Sequence, residues 1–168
     1  MIGPYTIKAI NHSFSLRAMT MMDPASNWFE IAALPVNTPP NSDLCQQLFG
    51  ETWLTCYPRP QEIGFDNGSE FKAVFRDLCT NFGMTPKPTT SCNPQGNGVL
   101  ERVHQVLGNC IRTFQLENCL LDKDRPFDEF LAATAYAIRS TYHTTLGATP
   151  GKLVFGRDMV LPVKFQTD

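Results

Sequence analysis

Ile63-Gly64-Phe65-Asp66-Asn67-Gly68-Ser69-Glu70-Phe71 is the stretch whose reading decides the fold. Its opening residues suit a short buried strand, and that strand delivers Asp66 at its C-terminal end. Asp66-Asn67-Gly68 alone is the strongest short hairpin signal. The residues that follow, EFKAVFRDLC, have helical rather than alternating period, so the strand is expected to run into a helix. A second segment, Asn93-Pro94-Gln95-Gly96-Asn97-Gly98-Val99-Leu100-Glu101-Arg102, is a glycine-rich loop feeding the first turn of a helix. Strand ends beside helix starts are where open α/β sheets place their sites. Glutamate in a first helical turn also complements the helix dipole, so neither carboxylate is telling by itself. Together, with 34 residues between them and that loop intervening, Asp66 and Glu101 point to a pair of ligands for a hard cation. Mg2+ and Mn2+ prefer oxygen donors of this kind.

Working outward, Phe14–Met22 and Trp28–Leu34 are β-prone apolar runs, and Asp23–Asn27 supplies turn chemistry between them; a hairpin is expected. Pro39-Pro40-Asn41-Ser42 offers caps for a helix over Asp43–Tyr57, which Pro58 and Pro60 stop. Ser69 or Asn67 is expected to cap a second helix over Glu70–Phe82, ended by Gly83. Met84–Pro88 reads as a short edge strand because of its two prolines, and Thr89–Gly98 as a loop. The clearest periodic segment is Val99–Glu117. Val99, Val103, Val106, Leu107, Cys110 and Phe114 cluster on one side of it. Glu101 lies opposite that stripe, with Gln105, Gly108 and Arg112 within about 40° of it. A last helix is expected over Phe127–Tyr142, with Phe127, Phe130, Leu131, Ala135 and Ile138 facing inward, and the tail Thr149–Pro162 is expected to be irregular. Strands come first and then alternate with helices, which suggests α/β or α+β with a mixed sheet.

Composition narrows the function classes. A chain of 168 residues builds one domain with a real core. Apolar residues make up 42% and charged residues 18%, which excludes a disordered tail. No apolar run approaches the roughly 18 residues of a membrane span, and Met1–Arg17 lacks an apolar stretch of signal-peptide length. The net charge is −2, whereas a protein gripping duplex DNA through many phosphates is usually basic. A nucleic-acid role therefore has to come from a local site or from neighbouring segments. Cys45, Cys56, Cys79, Cys92, Cys110 and Cys119 form no C-x-x-C pair, and His12, His104 and His143 lack zinc-finger spacing. The cysteines are expected to be mostly reduced core thiols of an intracellular protein.

FDNGSEF resembles the second acidic motif of the catalytic cores of retroviral and retrotransposon integrases, especially those of gypsy-like long-terminal-repeat elements, and NPQGNGVLERVH resembles the third. MMDPASNWFEIAALP is similar to the hairpin of the second and third strands of that family, and ATPGKLVFGRDMVLP to the segment after the core. The resemblance implies a ribonuclease-H-like mixed sheet flanked by helices, with residues 1–145 as the core and 146–168 as an irregular extension. It also implies a triad of two aspartates and a glutamate holding two metal ions, Mg2+ or Mn2+. Asp66 and Glu101 would be the second and third members, their spacing within one residue of that family's. The chemistry implied is phosphodiester transesterification on DNA, with two ions about 3.5–4 Å apart activating the nucleophile and stabilising the leaving oxygen. Asn67, Gln95 and Asn97 would orient DNA or the water around the ions, or serve as buried turn polarity. Arg102, Gln105 and Arg112 would meet phosphates, or be an ordinary solvated helix face. DNA as partner, homo-oligomerisation through the core, nuclear location and no membrane complete the implied picture.

The first aspartate departs from that pattern. Asp23 has only 42 residues between it and Asp66, and it falls in the turn after the second strand. Aligned on the family, MIGPYTI follows directly on the first catalytic aspartate, whose place is immediately ahead of Met1. The expectation is a first strand lacking its N-terminal half, a gap of about 10 Å beside it, and a catalytic-core fragment of a retrotransposon integrase with impaired turnover. Two carboxylates compensate half the charge of two divalent ions. The alternatives are a non-catalytic, domesticated remnant that docks DNA or protein, and a related nuclease of the same fold.

Overall fold

β2, Ser13–Met22, is the strand around which the protein is organised. In a computed structural model describing residues 1–8, 13–35, 38–66, 68–88, 98–113 and 127–159, it pairs antiparallel with β1, Ile2–Lys8, on one side and with β3, Phe29–Ala33, on the other. The turn into β3 is closed by Asp23, whose N–H donates to the Trp28 carbonyl at 2.9 Å while its carboxylate accepts from the Ser26 N–H at 3.0 Å. The period-2 alternation sends Leu16, Ala18 and Thr20 to one face and Met19 and Met21 to the other, all buried. Both faces are therefore covered.

On the first face lie α3, Gly98–Thr113, and α4, Asp128–Ser140. Val103, Leu107 and Ile111 of α3 and Leu131 and Ala135 of α4 pack with Phe127, Leu16, Ala18 and Phe29 into one core. On the second face, Met19, Met21 and Leu34 meet α1, Ser42–Phe49, and α2, Val74–Asn81, with the aromatic group Phe49, Phe65, Phe71 and Phe75 at the centre. Asn41 caps α1 by accepting from the Leu44 N–H at 2.8 Å, as its position after two prolines predicts. The helix then widens into a π-helical turn over Gly50–Leu54.

The remaining strands, β4, Glu62–Phe65, and β5, Thr85–Pro88, form a separate two-stranded parallel sheet. The mixed sheet of the sequence reading is thus realised as two pieces, a three-stranded antiparallel sheet and this pair. β1 starts beside the seam: Met1 packs into the aromatic core with Ile63, and Ile2 into the opposite core. The β1–β2 register breaks between Ile2 and Tyr5. Gly3 there has φ +91°, and a Cβ on it would come within 2.4 Å of the Leu16 carbonyl oxygen, so only glycine fits.

Four expectations need correction. The second helix is not continuous from Glu70: Ser69–Phe71 makes a single 3-10 turn, Lys72 is extended, Ala73 takes φ +46°, and α2 starts at Val74. Phe71 is drawn into contact with Phe65 and Phe75 at centroid distances of 5.6 and 5.2 Å; Asn67 lies outside the described residues, and Ser69 does not provide the cap. Ser42 of α1 supplies it, accepting from the Phe75 N–H at 2.9 Å and donating to the Lys72 carbonyl. On α3 the buried stripe is Val103–Leu107–Ile111, which runs in 4-residue steps, and Val106, three residues from Val103, falls off its edge and is 49% exposed. The tail holds a helix, α5, Pro150–Phe155: Thr149 accepts from the Lys152 N–H at 3.0 Å, proline takes the first turn and Gly156 ends it at φ +71°. Of the cysteines, Cys45 and Cys79 are buried free thiols, but Cys56 is exposed. Cys92, Cys119, the loop 89–97 and the continuation of α3 toward residue 117 lie outside the described residues. Among the described residues no helix is long and apolar enough to cross a membrane.

Two buried polar side chains stand out on the central sheet, Thr20 and Glu30. Glu30 on β3 takes Arg139 of α4 as an ion-pair partner and accepts from Tyr57 Oη and from Trp28 Nε1, the latter at 3.2 Å. Arg139 Nε also donates to the Phe29 carbonyl at 2.7 Å, and its guanidinium lies 4.6 Å over the Trp28 ring. Phe155 of α5 meets that ring edge-on at 5.2 Å.

Candidate active site

Asp66 is the first residue past β4, and it is exposed. Phe65 before it is buried, 5.6 Å from the Phe75 ring, so the inward side chain anchors the strand end and the next residue in the alternation faces out. The Asp66 Oδ1 accepts from the Gly68 N–H at 3.0 Å, which folds the chain back as an Asx-type turn. Glu101 is exposed in the first turn of α3, as are Arg102 and Gln105, while Val103 and Leu107 behind them are buried. Gln105 also lines an open cleft of about 450 Å³ with Tyr5, His104, Gly108 and Asn109. Asn67, Gln95 and Asn97, and the side chain of Arg112, lie outside the described residues. Asp23 is spent on its own turn.

His104 links the two segments. It sits one turn after Glu101, on the same side of α3, and side chains so spaced have Cβ atoms roughly 5–6 Å apart. Burial pushes its imidazole down to about 4; the α-amino group of Met1 adds to the fall, and the Asp66 carboxylate opposes it. The same neighbourhood reaches Cys45, whose thiol is pushed up to about 11 by burial first and by Glu70, with Met1's amino group and Asp66 again acting on it in opposite senses. Met1 joins the core that holds Ile63 of β4, and Ile2 joins the core that holds Val103 of α3, so the start of β1 links the strand that leads to Asp66 with the helix that carries Glu101.

The donor chemistry of that corner is oxygen: one carboxylate from a strand end, one from a helix head, both open to solvent. His104 Nε2 is taken by Thr20 Oγ1 at 2.8 Å. Such a set fits a hard divalent cation. Two carboxylates match the charge of one such ion and half that of two. Among the described residues, no three of His, Cys, Asp and Glu gather as a metal-holding cluster. Spacing considers His104 only as a zinc ligand and rejects it. The sign that was available is a hydroxyl, Thr20, at an inward position of an otherwise apolar strand face, which demands a partner.

Helices on both faces of strands ordered 1-2-3 and 4-5, with one carboxylate after the fourth strand and one at the head of the third helix, define an α/β core of the ribonuclease-H-like class. No family model matches the chain. Over 137 residues, 80% of its length, it is 26% identical to the retrovirus-related Pol polyprotein from transposon 412 of Drosophila melanogaster, and it spans 10% of that polyprotein. A chain of the simian T-cell lymphotropic virus intasome, solved in complex with the PP2A regulatory subunit B56 gamma, superposes with a TM-score of 0.67 at 19% identity, covering 97% of this chain and 58% of that one. The catalytic core domain of BIV integrase does so at 0.61 and 18%, covering 89% of each. The HTLV-2 integrase catalytic core domain in complex with magnesium, in a trimeric form, gives 0.58 and 17%, covering 88% of this chain and 89% of that one. The fold is that of the retroviral integrase catalytic cores.

Proposed function

We propose that this chain is the catalytic-core portion of a retrotransposon integrase, acting on DNA by metal-assisted phosphodiester transesterification. The observation that supports the reading is that β1 begins between the two carboxylate-bearing elements, with Met1 in the core that holds Ile63 of β4 and Ile2 in the core that holds Val103 of α3. Asp66 and Glu101 would hold the divalent ion, Mg2+ or Mn2+, which supplies Lewis-acid activation of the attacking oxygen and stabilisation of the leaving one. Arg102 and Gln105, exposed on the same helix, would meet backbone phosphates, with Asn67, Gln95 and Asn97 assigned to DNA by sequence alone. Arg102 brings a charged fork suited to phosphate; Gln105 brings neutral donors. The acceptor side of the reaction needs no covalent enzyme intermediate, so no nucleophilic serine or cysteine is called for. Asp66 and Glu101 together compensate the charge of one divalent ion, so metal held by these two alone is expected to be weakly bound and turnover on it slow. Homo-oligomerisation and action in the nucleus belong to the same reading.

Strand transfer on processed element-end DNA, measured with Mg2+ or Mn2+, tests it. Asp66→Asn and Glu101→Gln are expected each to lower the metal-dependent rate by about 100-fold or more, the equivalent of several kcal/mol of transition-state stabilisation. Unchanged rates would end the carboxylate mechanism. A second reading, a non-catalytic module that docks DNA or protein, is favoured by one observation: an Asp66 carboxylate oxygen is already committed to the Gly68 N–H. DNA binding that persists without any turnover would choose that reading.

A further inference from the structure

Leu16, Ala18, Thr20 and Met22 of β2 form a row on the face that α3 and α4 cover, and Thr20 is the polar one among them: Leu16, Ala18 and Met22 pack in that core. Thr20 is 8% exposed. A hydroxyl so placed costs free energy unless it is hydrogen-bonded, and an aliphatic side chain would fill the space as well. Its partner lies 84 residues away: Thr20 Oγ1 and His104 Nε2 share a bond of 2.8 Å. The apolar stripe Val103, Leu107 and Ile111 holds α3 on the sheet, but such contacts are non-directional and leave small rotations about the helix axis cheap. A hydrogen bond from the second turn to a fixed strand removes that freedom. Rotation of the helix head would displace Glu101, one turn ahead on the same side.

Resting on the reading of Asp66 and Glu101 as metal ligands, we propose that His104 is a positioning residue, anchored by Thr20 so that the head of α3 presents Glu101 to the strand end carrying Asp66. The imidazole belongs half to the packed interior and half to the cleft it shares with Tyr5 and Gln105, so it joins the buried sheet to the surface that presents the carboxylates. Partners that orient a metal ligand typically contribute 10- to 100-fold in metal affinity.

The test uses the 168-residue chain and its Thr20→Val and Thr20→Ser variants. Valine keeps the shape of threonine without its hydroxyl; serine keeps the hydroxyl. Two quantities are read: Mn2+ affinity by electron paramagnetic resonance, and amide hydrogen exchange across residues 101–104. Thr20→Val is expected to weaken Mn2+ binding by about 10-fold and to speed exchange in that turn, with an unchanged melting temperature, and Thr20→Ser is expected to restore both. Should Thr20→Val not fold, His104→Asn is judged by the same two readouts and carries the same expectation for each. Wild-type Mn2+ affinity and exchange in a folded variant lacking the bond, or failure of serine to restore them, would overturn the positioning role. Strand transfer insensitive to Asp66→Asn would instead refute the proposed function, and the exchange readout would still decide whether Thr20 and His104 fix the helix head.

Discussion

The two carboxylate-bearing halves of the molecule are held in different ways. Glu101 rides on α3, a 16-residue helix seated on a three-stranded sheet and joined to it by Thr20. The neighbouring α4 is fastened to the same sheet through Glu30 and Arg139. Asp66 ends a four-residue strand whose one partner is an equally short strand closing on proline. Beyond backbone pairing, an exposed Lys87–Glu62 bridge of 2.7 Å is what crosses that pair, and such bridges contribute about 0–1 kcal/mol. What places Asp66 is the aromatic cluster beneath it. One half is positioned by directed polar bonds, the other by shape, and the two should fail differently.

The largest effect is expected where shape does everything. Phe75 is 1% exposed and lies edge-to-face against Phe49, Phe65 and Phe71 at 5.7, 5.6 and 5.2 Å. Phe75→Ala should cost about 3–5 kcal/mol, read as the urea midpoint. A loss below about 1 kcal/mol would mean the β4 half does not depend on this cluster. In the polar half, Glu30→Gln keeps acceptor geometry but removes the charge from its bonds with Arg139 and Tyr57, for an expected loss of about 1.5–3 kcal/mol. Burial, and then the bond to Glu30, push the Tyr57 phenol up to about 12. Absorbance titration should show that value falling in the variant; an unmoved titration would break the assignment.

A pH series sharpens the contrast at the joint between the halves. The folded His104 stays neutral down to about 4, against burial's opponent Asp66 and burial's ally the Met1 amino group, while in the unfolded chain histidine protonates near 6.5. Between those values the unfolded state binds the extra proton, so stability should fall as pH drops from about 6.5 toward 4 and be flat in this contribution above 6.5. His104→Asn should remove that slope; a slope that survives assigns it to other groups. The smallest effect is Ser42→Ala. It removes the cap that α1 lends to α2 and should cost about 1 kcal/mol, visible as faster exchange at the Phe75 amide with α3 untouched.

Local chemistry made much of this legible. Asn41 after two prolines marked the start of α1, the Asp23 turn marked the hairpin, and a glycine-bearing apolar strand marked where Asp66 would emerge. The helix head at Glu101 followed from period alone. Val106 sits at the edge of the periodic stripe, and periodicity alone does not decide whether an edge position is covered. Thr149-Pro150 and Gly156 carried cap signals for α5 that an irregular tail overlooks.

What the amino-acid order determined by itself is therefore the elements and the two exposed carboxylates, because caps, turns and periodicities act over a few residues. The tertiary structure alone decided that the strands among the described residues divide into two sheets, that Ser42 rather than Ser69 caps α2, and that Thr20 finds His104. Each of those depends on which distant surfaces come to share a buried space, and burial makes a polar group's partner obligatory without marking, in the chain, where that partner is.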